Sequence, residues 1–113
     1  GLYQAKQAIH KKGCAIVVEG QIDCISCHSA GIHNIVALCG SSLSRYQFYL
    51  LKKYTDKIYL LLDNDDAGNK CKHQIIKKYS ECAVINKLSL PEEFLDVDKY
   101  LHESPVCNIF DQI

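Results

Sequence analysis

Runs of apolar residues that stop at acidic or small polar residues set the pattern of this chain. Ile58 to Leu62 is apolar throughout and breaks into Asp63-Asn64-Asp65-Asp66 before the small pair Ala67-Gly68. Cys14 to Val18 ends at Glu19-Gly20, and Ile35 to Cys39 ends at Gly40-Ser41-Ser42. An unbroken apolar run of this length reads as a strand buried on both faces rather than one alternating between core and water. The run from Cys14 is expected to be central, and Cys82 to Leu88 supplies a fourth strand.

Between these runs the apolar positions recur at helical spacing. Leu2, Ala5 and Ile9 predict a lead-in helix that stops at Lys11-Lys12-Gly13. Ile22, Ile25 and Ser29 fall on one side of a short helix that starts near Asp23 and ends at Gly31. Ser44 stands three residues before Gln47 in a capping-box pattern, with Leu43, Tyr46, Leu50 and Tyr54 sharing the face behind it. Ala67, Cys71, Ile75 and Tyr79 repeat every fourth residue, and Asp65 and Asp66 suit a helix N-terminus. After a turn or loop over Leu90 to Leu95, Asp96 to Leu101 predicts a last short helix with acids at its start.

Strands alternating with helices imply an α/β fold: a mainly parallel four-stranded sheet, joined by right-handed crossovers and covered by helices on both faces. In such a sheet every strand points its C-terminus the same way, so Glu19 and the Asp63 to Asp66 run emerge at one edge. Residues 1–113 are expected to form one domain. The chain opens on Gly1 and shows no signal-peptide pattern, which suggests a piece of something longer.

Composition narrows the function classes. No apolar run approaches the roughly 20 residues that a membrane helix requires, and 48% hydrophobic residues suit a packed, membrane-free domain. Thirteen Lys plus Arg balance thirteen Asp plus Glu, with a pI near 7.1. An autonomous nucleic-acid-binding domain usually lies above about 9, so any grip on DNA or RNA must be local or come from neighbouring parts. Seven Cys, an odd number scattered mostly inside apolar runs, point to a reducing, cytoplasmic setting rather than a disulfide scaffold.

The acids carry the candidate chemistry. Asp63 and Asp65 at a strand end can converge if the backbone turns, and Mg²⁺ commonly takes one or two carboxylates while keeping waters and substrate phosphates. Glu19 adds a third carboxylate across the edge, and Asp96 and Asp98 a second pair. Alone, Asp63-Asn64-Asp65 reads equally as a turn residue followed by helix-starting acids. The combination with Glu19-Gly20 and Asp96/Asp98 favours a site, because so many acids together oppose folding unless a cation joins them.

Taken in order, Val17-Val18-Glu19-Gly20-Gln21-Ile22-Asp23, Ala37-Leu38-Cys39-Gly40-Ser41-Ser42-Leu43 and Leu62-Asp63-Asn64-Asp65-Asp66-Ala67-Gly68 resemble the TOPRIM domain of bacterial-type DNA primases. The resemblance spans nearly the full chain, from the lead-in helix to Asp96-Val97-Asp98. It implies a Rossmann-like three-layer fold and nucleotidyl transfer that makes RNA primers on single-stranded DNA with Mg²⁺ or Mn²⁺. It further implies Glu19 as acid/base and ligand, Asp63 and Asp65 as metal ligands, Asp96 and Asp98 completing the site, and Asp23 as a supporting acid. Three positions depart from the family's usual pattern: Asn64 stands for a glycine, Gln21 for an aromatic and Val97 for a proline. None removes a carboxylate.

Gly20 and Gly40-Ser41-Ser42 are candidates for contacting nucleotide or template through exposed backbone N–H groups. For the last three residues a plain tight turn before the Ser44 cap is an equal reading. Cys24-Ile25-Ser26-Cys27-His28 matches a haem-attachment spacing, and with His33 a partial zinc set, but both are outweighed by ordinary helix packing. The lysine pairs Lys11-Lys12, Lys52-Lys53 and Lys77-Lys78 read as solvated helix faces.

The expected partners are template DNA and nucleoside triphosphates, with a replicative helicase reached through other parts of the parent chain. The domain alone should be a monomer, weakly active or inactive. The alternatives are a TOPRIM domain of a topoisomerase or nuclease, or a catalytically silent nucleic-acid-binding or scaffold module.

Overall fold

In the computed structural model, residues 2–38, 42–63, 65–88, 90 and 97–103 are described. Their order is α1 (Leu2–Lys12), β1 (Ala15–Val18), α2 (Gln21–Ser29), β2 (Ile35–Ala37), α3 (Arg45–Lys52), β3 (Lys57–Leu61), α4 (Asp66–Tyr79), β4 (Val84–Lys87) and α5 (Val97–Glu103). The four strands form one parallel sheet in the order β2-β1-β3-β4, as the apolar runs predict. β1 is central, and its four residues are all buried.

Strand geometry sends alternate side chains to opposite faces, and two apolar layers result. Ala15, Val17, Ile58 and Leu60 meet Ala5 and Ile9 of α1, Phe48 and Leu51 of α3, and Cys71, Ile75 and Tyr79 of α4. Ile16, Val18 and Leu61 meet Cys24 and Cys27 of α2, and Val97 and Tyr100 of α5. Helices therefore cover both faces. β1 connects leftward to β2 through α2 on one face, whereas β2 to β3 and β3 to β4 run rightward through helices on the other. All three crossovers thus share one hand, and the direction reverses between β1 and β3. That reversal opens a crevice at the C-terminal ends of these two strands, where open α/β sheets place their ligands.

Two helix faces differ from the expected ones. In α2 the inward residues are Asp23, Cys24 and Cys27, while Ile22 and Ile25 are 69% and 63% exposed. An acid takes an inward position because it finds two backbone N–H partners there, described below. In α3 the inward residues are Phe48 and Leu51, and Tyr46 is 75% exposed. Phe48 stacks on Tyr79 with ring centroids 4.1 Å apart, which fixes the rotation of α3. Ser44 does cap α3, accepting the Gln47 backbone N–H at 3.1 Å, but the Gln47 amide reaches the Ala37 carbonyl at 2.7 Å instead of closing a capping box. Cys82, expected inside a strand, lies exposed in the turn before β4.

Candidate active site at the β1/β3 crevice

Register decides which acids can meet. Val18 pairs with Leu61, so Glu19 and Asp63 leave neighbouring strands at nearly the same height. The Asp63 backbone N–H donates to Glu19 Oε2 at 3.1 Å, tying the two strand ends together. Asp63 Oδ1 is buried and has no hydrogen-bond partner. Burial first, then the charges of Glu19 and Asp23, push the Asp63 carboxyl up to about 7, with a side-chain hydrogen bond to Glu19 and the charge of Asp65 adding to the rise.

Asp65 is exposed and opens α4 as its N-cap, its Oδ1 accepting the Gly68 N–H at 2.6 Å. Gly68 lies against the Asp63 carbonyl so closely that a Cβ there would stand 2.2 Å from the oxygen. The small residue after the acids is therefore a packing requirement that lets the first turn of α4 press on the strand end.

Asp23 works from α2. Its Oδ2 accepts the Gly20 N–H at 3.3 Å and its Oδ1 the Asp98 N–H at 3.0 Å, so one carboxylate joins the turn after β1 to the start of α5. Asp98 itself accepts from Ser26 Oγ and lies 3.1 Å from His102 Nε2. Glu19, Asp63 and Asp65 thus gather at the crevice, with Asp23 behind them. Asp98 is held at the α2/α5 junction. Gly40, Ser41, Asn64 and Asp96 lie outside the described residues. Among the described residues, no three His, Cys, Asp or Glu side chains are grouped closely enough to cage a metal ion. The exposed Ser42 follows the strand edge of β2.

A family model described as Toprim-like matches residues 16–101. The chain belongs to the Toprim-like family. Its relatives include the DNA primase of Aquifex aeolicus, 41% identical over 104 residues, which cover 91% of this chain and 21% of that protein. The DNA primase of Synechococcus elongatus is 38% identical over 114 residues, covering 96% of this chain and 16% of that protein. The crystal structure of the zinc-binding and RNA polymerase domains of the Aquifex aeolicus primase superposes with a TM-score of 0.81, covering 91% of this chain and 26% of that chain. A DNA primase domain from Pseudomonas aeruginosa superposes with a TM-score of 0.85 at 27% identity, over 99% of this chain and 36% of that one. The resemblance to a primase TOPRIM domain and the Rossmann-like fold both hold, and this chain spans about a fifth of the relatives' length.

Around this TOPRIM site the structure adds one charge that a linear reading misses. Lys72 of α4 is only 6% exposed, and burial followed by repulsion from Lys87 pushes its ammonium pKa down, against the pull of Glu19 and Asp63. A lysine at a position between buried Cys71 and Ile75 could have been flagged by its place on the inward side of the helix. The cysteines of the CxxCH spacing turn inward: Cys24 Sγ lies 3.7 Å from the Ile35 carbonyl, and Cys27 is fully buried. His28 instead faces His33, with the Nδ1 atoms 3.3 Å apart.

Proposed function

We propose that this chain is the catalytic core domain of a DNA primase, joining ribonucleotides into short RNA primers on a single-stranded DNA template by metal-dependent nucleotidyl transfer. The observation that carries this reading is the Glu19–Asp63 pair at the crevice, bonded at 3.1 Å with the buried, unpartnered Asp63 Oδ1 beside it. A buried carboxylate oxygen without a donor is a costly arrangement that a cation relieves. An all-oxygen set of one or two carboxylates plus water suits Mg²⁺ or Mn²⁺ better than softer metals.

Glu19, Asp63 and Asp65 would hold the cation. Asp96 and Asp98 would add carboxylate oxygens from the C-terminal segment, Asp98 through the oxygen that Ser26 and His102 leave free. Bound there, the metal supplies positive charge against the substrate phosphates and lowers the pKa of the attacking hydroxyl. In the transfer, the primer 3′-oxygen bonds to the α-phosphorus of the incoming nucleoside triphosphate. The bond to pyrophosphate breaks, and the hydroxyl proton passes to Glu19. Asp23 keeps Gly20 and α5 in place, and Gly20, Gly40, Ser41 and Ser42 are the residues assigned to nucleotide or template contact. The helicase contact and the cytoplasmic setting belong to this reading.

The test is primer synthesis by the intact parent protein with single-stranded DNA, nucleoside triphosphates and Mg²⁺ or Mn²⁺. Short RNA products that vanish in Asp63→Ala and Glu19→Gln support the reading. Relaxation of supercoiled DNA without primers would assign the site to topoisomerase-type chemistry instead. No turnover of either kind would leave a silent module.

A further inference from the structure

α3 carries no acid between Arg45 and Lys52, and its buried side is taken by Phe48 and Leu51. At about 100° per residue, Arg45, Tyr49, Lys53 and Tyr46 fall in order within an arc of roughly 100° on the opposite side. All four are exposed, the two tyrosines at 75% and 61%. The Tyr49 ring leans on the Phe48 ring with centroids 6.0 Å apart, which steadies it while its outer side stays open. Two exposed rings and two cations on one helix face make a contiguous patch rather than scattered single residues.

The Gln47 amide ties the first turn of α3 to the Ala37 carbonyl at 2.7 Å. Ala37 pairs with Val18, and Glu19 follows Val18. The stripe therefore starts at the sheet edge that holds the acids, one strand away, and runs back along the domain for about 12 Å.

We propose that the outward face of α3 is a stacking platform that binds single-stranded DNA and leads it toward the crevice. Bare rings stack on any unpaired base, and Arg45 and Lys53 meet the phosphates. A duplex keeps its bases stacked internally and offers these rings nothing. Tyr and Arg also anchor protein interfaces, and in that case the affinity for DNA would not depend on these rings. The choice of DNA as the strand rests on the proposed function; the platform itself rests on α3.

The test uses the full chain and a labelled oligothymidylate followed by anisotropy, together with its RNA counterpart and a DNA duplex. Tyr46→Ala/Tyr49→Ala is expected to weaken single-stranded DNA binding by about tenfold or more. Tyr46→Phe/Tyr49→Phe keeps the rings and should bind as the parent does. Arg45→Ala/Lys53→Ala should lower the slope of log affinity against log salt by about 1.4, at roughly 0.7 for each cation on a single strand.

Unchanged DNA affinity in the alanine pair overturns the platform, as does an equal loss of duplex binding. Loss confined to RNA overturns DNA as its occupant. A protein that makes no primers but loses DNA binding in the alanine pair keeps the platform while the proposed function fails. Primer synthesis with unchanged binding in the alanine pair does the reverse.

Discussion

Asp63 donates its backbone N–H to the Glu19 carboxylate across 44 residues of chain, at 3.1 Å. The contact exists because β1 and β3 are parallel neighbours whose C-terminal ends lie side by side. It places one acid where it organises the other, and leaves Asp63 Oδ1 buried and unpartnered.

Asp63 makes the metal-free protein pH-sensitive. Its carboxyl binds a proton more tightly folded, at about 7, than unfolded, at its ordinary value of 3.8. The folded state therefore holds more protons between these values, and stability falls as pH rises from about 4 to 7. Denaturant unfolding in a metal chelator should show this decline, and Asp63→Asn should flatten it. A parent protein equally stable across the window contradicts the assignment.

Gly68 sets how closely α4 approaches the strand end. With a Cβ placed 2.2 Å from the Asp63 carbonyl oxygen, Gly68→Ala must displace backbone. A loss of roughly 1–3 kcal/mol is expected, the usual cost of overpacking, together with weakened cation binding. Asn69→Ala, one residue on at an exposed position, serves as the control and should change neither.

Asp23 should act on the far side of the domain as well as at the crevice. Asp23→Ala leaves the Gly20 and Asp98 N–H groups without their acceptor, at a cost of about 1–3 kcal/mol. Hydrogen exchange should quicken in α5 as well as at the start of α2, and an unchanged α5 would show that the link does not hold that helix.

Lys72 places a positive charge near Glu19 and Asp63. A divalent cation between those acids is repelled by it, so Lys72→Met should tighten Mn²⁺ binding at pH 8 by about two- to tenfold, or roughly 0.5–1.4 kcal/mol. Weaker binding would mean that the lysine supports the site by another route.

Much of the sheet was legible because unbroken apolar runs such as Ala15 to Val18 have few alternatives to a strand buried on both faces. Glu19 and Asp63 could be ranked first because each follows such a run. The helix faces were harder. Periodicity puts Ile22 and Ile25 inward and Asp23 outward, but Asp23 satisfies backbone donors on Gly20 and on Asp98, a partner 75 residues away that no local pattern reveals. In α3 apolar or aromatic residues stand at five of eight positions, on more than one side of the helix, and the choice of Phe48 over Tyr46 depends on Tyr79. Lys72 sits beside buried Cys71 on the inward side of α4, but the groups that act on it, Lys87, Glu19 and Asp63, come from distant parts of the chain.

The central claim is that the Glu19–Asp63 crevice holds a divalent cation. Mn²⁺ titration of the protein at pH 8, followed by electron paramagnetic resonance, tests it directly. Binding in the parent that weakens about tenfold or more in Asp63→Asn, while the variant keeps its fold, is the predicted result, on the scale seen when metal-site partners are removed. Equal Mn²⁺ affinity in the parent and in Asp63→Asn would contradict it.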